Sequence, residues 1–180
     1  MKFFKYALLA STLIFASCSD DDDAPEPVNE EEVITTLTVT LDSGSDTVVM
    51  QYQDLDGDGP DAATVTVSGS LSANTTYDGS IILLNETESP AENVTEEIEE
   101  DDLVHQFFYT VGSGLDVAAE YGDADSRGNP LGLSFILNTG VASSGGLTFT
   151  LRHEPNKPNT GLENAGGETD IEVTFDVTVE

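Results

Sequence analysis

The sequence predicts an all-β protein, a single antiparallel β-sandwich, on three observations. Apolar residues recur at a period of two, not 3.6. Thr and Val dominate the periodic segments, and Gly, Pro, Asn and Ser clusters punctuate them at short intervals.

The alternation is clearest in three segments. Val33, Leu37, Val39 and Leu41 alternate with Thr36, Thr38 and Thr40. Leu147, Phe149 and Leu151 alternate with Thr148, Thr150 and Arg152. From Asp170 to Glu180, Ile171, Val173, Phe175, Val177 and Val179 alternate with Glu172, Thr174, Asp176 and Thr178. Successive strand side chains point to opposite faces, so each segment turns one face to a core and one to water. Further strands are expected near 46–53, 62–71, 77–85, 103–111, 115–121 and 131–138. Turn signals separate them at Ser43-Gly44, Gly57-Asp58-Gly59-Pro60, Gly112-Ser113-Gly114, Gly128-Asn129-Pro130 and Ser144-Gly145-Gly146. Only Glu92–Asp102 has a helix-like pattern. About nine short strands at such spacing predict a sandwich, immunoglobulin-like in the broad sense, with a small barrel or jelly roll as the alternative.

The N-terminus reads differently. Lys2 and Lys5 precede an apolar run from Tyr6 to Phe15, and Ala16 and Ser17 lead into Cys18, the single cysteine. That is the basic, apolar and small-residue order of an export signal, too short for the roughly 20 residues that span a bilayer. Residues 1–17 are therefore expected to be a signal peptide. Phe15-Ala16-Ser17-Cys18 resembles a bacterial lipobox, which implies lipidation of Cys18 and anchoring by acyl chains. Residues 18–32 follow as an acidic stalk with Pro25 and Pro27, too polar to fold. Its Ser19-Asp20-Asp21-Asp22-Asp23 resembles the signal that carries Bacteroidota lipoproteins to the outer face of the outer membrane. Residues 33–180 are left for one β-domain with a sizeable core.

Charge excludes one class of partner. Without residues 1–17 the chain has 3 basic and 35 acidic residues (5 minus 2 against 35), a formal charge of −32. Such a field repels nucleic acid and concentrates cations.

Two constellations suit a cation. Asp54, Asp56 and Asp58, followed by Gly59, have the spacing of the first half of an EF-hand loop, and Asp61 adds a carboxylate. The bidentate acid at loop position 12 is replaced by Val65, and the flanks are strands, so the expectation is a calcium-binding hairpin loop or a solvated turn. The second constellation is built on the two histidines. His153 continues the phase of Leu147, Phe149 and Leu151, and His105 is in phase with Phe107 and Tyr109. With Glu154, the pair makes a candidate zinc or copper site, against the alternative that the rings never meet. Asp123–Pro130 is a polar loop that adds carboxylates to either site or is only a long turn.

No G-x-S-x-G elbow, H-E-x-x-H or Gly-rich phosphate loop is present, so no enzymatic function is expected. The chain resembles a group of small flavobacterial lipoproteins of undetermined function. The resemblance rests on Asp54–Pro60, Ile82-Leu83-Leu84-Asn85-Glu86, His105-Gln106-Phe107-Phe108 and Leu151-Arg152-His153-Glu154-Pro155-Asn156-Lys157. Such proteins are sometimes labelled with the type 1 periplasmic binding fold, whose two α/β lobes need far more residues than 33–180. The resemblance implies a nutrient-uptake setting, beside a TonB-dependent transporter. Two functions follow as expectations: a surface module that captures a metal ion or small nutrient, or a structural or adhesive protein that contacts proteins or glycans.

Overall fold

The computed structural model describes residues 32–57 and 59–180, so the expected signal peptide, Cys18 and most of the stalk lie outside the described residues. Nine strands follow one another: β1 Thr36–Asp42, β2 Thr47–Gln53, β3 Thr64–Val67, β4 Thr76–Leu84, β5 His105–Val111, β6 Val117–Tyr121, β7 Ser134–Thr139, β8 Ser143–His153 and β9 Glu168–Val179. They form a six-stranded sheet in the order β3-β2-β1-β4-β7-β6 and a three-stranded sheet in the order β5-β8-β9. Every pairing between named strands is antiparallel. The two sheets are not closed into a barrel, and the protein is an all-β sandwich.

The period-two residues fill the space between the sheets. Leu37, Val39 and Leu41 of β1 are fully buried, as are Met50, Tyr77, Leu83 and Leu137 of the larger sheet. Phe107, Leu147, Phe149, Leu151 and Phe175 meet them from the smaller one. Each such side chain contributes about 1.5–3 kcal/mol of burial. Phe149 is the aromatic hub, with ring centroids of Tyr109, Phe135 and Phe175 at 5.7, 5.7 and 6.0 Å.

Two short helices interrupt the strands. Helix α1, Val94–Glu100, occupies the one segment with helical spacing and buries Val94 and Ile98, one turn apart on a single face. The second, α2 (Leu162–Ala165), lies in the β8–β9 connection, where the sequence pattern predicts no helix.

One expected turn is not a turn. Ser144, Gly145 and Gly146 lie inside β8, and the chain reverses before it, at residues 140–142. A Cβ at Gly145 would sit 3.1 Å from the Leu115 Cβ, and Gly112 N donates to Gly146 O at 2.8 Å. The glycines let the Gly112–Leu115 turn close onto the strand; they mark close approach, not reversal.

Candidate functional site: two histidines and a bulged aspartate

His105 opens β5, directly after the turn that leaves α1. Its Nδ1 lies 3.1 Å from the carbonyl oxygen of Asp101. A carbonyl only accepts, so Nδ1 carries the proton and Nε2 keeps its lone pair. That Nε2 is buried and has no hydrogen-bond partner. Burial pulls the His105 pKa below its ordinary value; the Asp101 hydrogen bond opposes this, and the neighbouring His153 adds to it. His105 is thus a neutral imidazole with its bare nitrogen turned into the protein.

His153 ends β8 and is the direct cross-strand partner of His105. Their ring centroids are 4.7 Å apart at an interplanar angle of 75°. Two imidazoles more than about 8 Å apart are beyond the reach of one ion with metal–nitrogen bonds near 2.0–2.1 Å; these two are well inside that limit. His153 Nδ1 is also buried without a hydrogen-bond partner, and stands 4.0 Å from Asp170 Oδ1.

Asp170 is where the structure departs from the alternation. Simple period two places it on the water face with Glu172 and Asp176. In the β8–β9 ladder, however, Leu151 pairs with Ile171 and Arg152 with Thr169, so Asp170 is an extra residue in a β-bulge. A bulge sets two residues against one and re-aims a side chain. The Asp170 side chain is fully buried, facing His153.

Local contacts fasten this bulge. Gly166 and Gly167 enter β9 with φ of +66° and +71°, and a Cβ on Gly167 would fall 2.1 Å from His153 O. Only glycine fits that approach. The Arg152 guanidinium donates to Gly166 O through Nε (3.0 Å) and Nη2 (2.8 Å), to Gly167 O at 2.7 Å and to the Thr169 hydroxyl. One cation therefore holds the whole entry to the bulge against β8.

Among the described residues, His105, His153 and Asp170 are the group of three or more His, Cys, Asp or Glu whose ligand atoms all lie within 4.8 Å of one another. The two histidines come together: the strand phase only turns both to the core face, and the β5–β8 register makes them neighbours. Glu154, the expected third member, does not join them: it is exposed, in a left-handed conformation (φ +49°), just past the strand end. Asp170 stands in its place. Neither Asp170 nor Arg152 was singled out by the spacing; the one available signal was the Gly166-Gly167 pair before an alternating run, a common mark of a bulge.

The surroundings are acidic. The Glu97 carboxyl is pushed up to about 7 by burial and by the adjoining Glu32 and Glu92. Charges on Glu32 and Asp101 also act on His105.

The Asp54–Asp61 constellation and the Asp123–Pro130 loop have different fates. Asp54, Asp56 and Asp61 line a small open pocket of about 230 Å³ in the β2–β3 connection, while Asp58 lies outside the described residues. There Asp61 N donates to Asp56 Oδ2 at 3.1 Å, and Asp56 N to Asp54 Oδ1 at 3.4 Å. In the 123–130 loop the carboxylates serve the fold and join neither site. Asp123 accepts from Gly132 N and Ser134 N at 2.6 and 2.8 Å. Asp125 accepts from Arg127 N, Asn129 N and Lys157 Nζ at 2.9, 2.8 and 3.1 Å.

The chain matches no family model, no curated protein and no solved structure. No helix among the described residues is long and apolar enough to cross a membrane.

Proposed function

We propose that this domain is a non-catalytic module that binds one divalent transition-metal ion through His105, His153 and Asp170. The observation that carries the reading is the His105 Nε2: a buried lone pair with no donor facing it, on a ring whose other nitrogen is anchored to a backbone carbonyl. That anchoring is how metal-binding histidines are oriented.

The donor set selects the ion. Two imidazoles and a carboxylate suit Zn²⁺ or Cu²⁺, whereas Cu⁺ prefers thiolates and thioethers, and Ca²⁺ or Mg²⁺ needs about six oxygens. Bonds of 2.0–2.1 Å in a tetrahedral arrangement put ligand atoms about 3.4 Å apart, so donors within 4.8 Å close on an ion by small side-chain rotations. Three protein ligands leave a position for water or a donor from outside.

In the setting that the N-terminus suggests, Cys18 anchors the module at the outer membrane and the acidic stalk presents it outward. Its role there is capture of the ion for a TonB-dependent transporter. His105 and His153 are only 1% and 7% exposed, so handing the ion on requires the sheet end to open.

The test is calorimetric titration of the purified mature protein with zinc and copper. The expected result is one site per chain, weakened by more than about 100-fold in His105→Ala and Asp170→Asn and unchanged in Glu154→Ala. No binding of either ion, or equal binding by the His105→Ala protein, would sink the proposal. A structural or adhesive surface role would then be the better reading.

A further inference from the structure

An open cleft of about 550 Å³ lies between β5, the edge strand β6 and the α2 turn, away from the histidine pair. Its volume falls in the range of about 300–1,000 Å³ typical of small-molecule sites. Phe108, Tyr109 and Tyr121 form one side, and the turn carrying Thr160, Glu163 and Asn164 forms the other.

The aromatic side presents rings, not hydroxyls. Tyr121 Oη donates to Phe107 O at 2.9 Å and accepts from Gln106 Nε2 at 3.3 Å. Tyr109 Oη donates to Gly132 O at 2.6 Å. With both hydroxyls tied back and the rings 5.2 Å apart, Tyr121 offers an immobilised, partly exposed face (37%).

The polar side is also held in shape. Thr160 N donates to Asn164 Oδ1 at 3.2 Å, and Asn164 Nδ2 returns to the Thr160 hydroxyl at 2.5 Å. Beside the cleft, Asn159 Nδ2 ties the turn to β5 by donating to Gln106 Oε1 at 2.8 Å. The exposed Glu163 carboxylate is the acceptor at the rim, and no Lys, Arg or His lines the cleft.

We infer that this cleft binds a neutral saccharide. A pyranose ring has an apolar face that stacks on an immobilised aromatic and hydroxyls that donate to a carboxylate. An anionic ligand would meet no cation here and a strongly negative protein besides. The rigid walls lower the ordering cost that weakens most small-ligand sites.

The chain has no tryptophan, so emission comes from tyrosine, with Tyr109 and Tyr121 in the cleft and Tyr52 and Tyr77 as a constant background from the larger sheet. The probes are maltotriose, cellotriose and chitotriose, titrated into the mature protein with EDTA present, so that the result is independent of any metal. A saturable change with at least one probe is expected, weakened about tenfold by Tyr121→Ala, less by Tyr121→Phe, which keeps the ring but frees it, and weakened about threefold by Glu163→Gln. Tyr121→Ala also removes two hydrogen bonds to β5; Glu163→Gln is exposed and keeps the test sound if the first variant misfolds. Absence of saturation by about 10 mM for all three probes overturns the inference. So does unaltered binding by the Glu163→Gln and folded Tyr121→Ala proteins, or saturation by tetramethylammonium in place of the sugars.

Discussion

His153 Nδ1 and Asp170 Oδ1 stand 4.0 Å apart, at the two ends of segment 154–169. His105 faces the same point from the third strand of the smaller sheet. On the proposed function, an ion bound at this point would tie β5, β8 and β9 together and close that segment at its base.

Metal occupancy should therefore stabilise the domain and protect the segment. At an ion concentration of 100 times Kd, binding to the folded state adds about 2.7 kcal/mol. For a chain of this size that corresponds to a rise in Tm of about 5–10 °C. Scanning calorimetry with zinc and with EDTA measures it, and limited proteolysis should show slower cleavage within 154–169. An unchanged Tm would contradict the clip.

Gly167→Ala should cost about 2–4 kcal/mol, because the new Cβ meets His153 O at 2.1 Å in a backbone conformation that favours glycine. The same change moves the bulge, so zinc affinity should fall with stability. Urea unfolding and metal titration of this one variant check both effects; a variant as stable as the parent would show that the entry to β9 is not constrained.

Glu97 imposes a pH dependence through its raised pKa. Between the ordinary value of 4.5 and about 7, the folded protein holds a proton that the unfolded chain has released. Stability from this group is therefore fully present below 4.5 and lost as pH rises through about 7. Glu97→Gln should flatten the stability curve across that window and unfold at higher urea than the parent at pH 8. Identical urea midpoints at pH 8 would refute the carboxyl crowding.

Asp125 acts in the opposite sense. Burial raises its pKa, but the Asn129 backbone and side-chain donors, Lys157 and the Arg127 N–H outweigh that and hold it at about 2. Its contribution is present above the ordinary 3.8 and lost as pH falls through about 2. Asp125→Asn should therefore remove part of the acid-denaturation slope below pH 4 and leave the slope near pH 7 unchanged. Acid titration followed by circular dichroism decides it.

Most strands were legible because burial on one face of a sheet imposes period two on the chain, as in Leu37, Val39 and Leu41. The same rule puts His105 and His153 on the core face, and their cross-strand pairing brings together two of the three residues of the candidate site. The Ser144-Gly145-Gly146 segment reads as a turn from sequence because glycine signals both a turn and a close approach, and only the Leu115 turn packed against it tells which. Helix α2 is four residues long, too short to leave a period.

The acidic charge, the β-class and the inward phase of both histidines are properties of the chain written in local order. Which acid completes their group is not. Glu154 is adjacent to His153 in sequence yet exposed, while Asp170, seventeen residues on, is buried beside it. A one-residue slip between β8 and β9 turns a side chain to the opposite face, and that slip depends on Arg152 and Gly167 meeting across the two strands. Periodicity describes one strand at a time; the register between two strands exists only once they have paired.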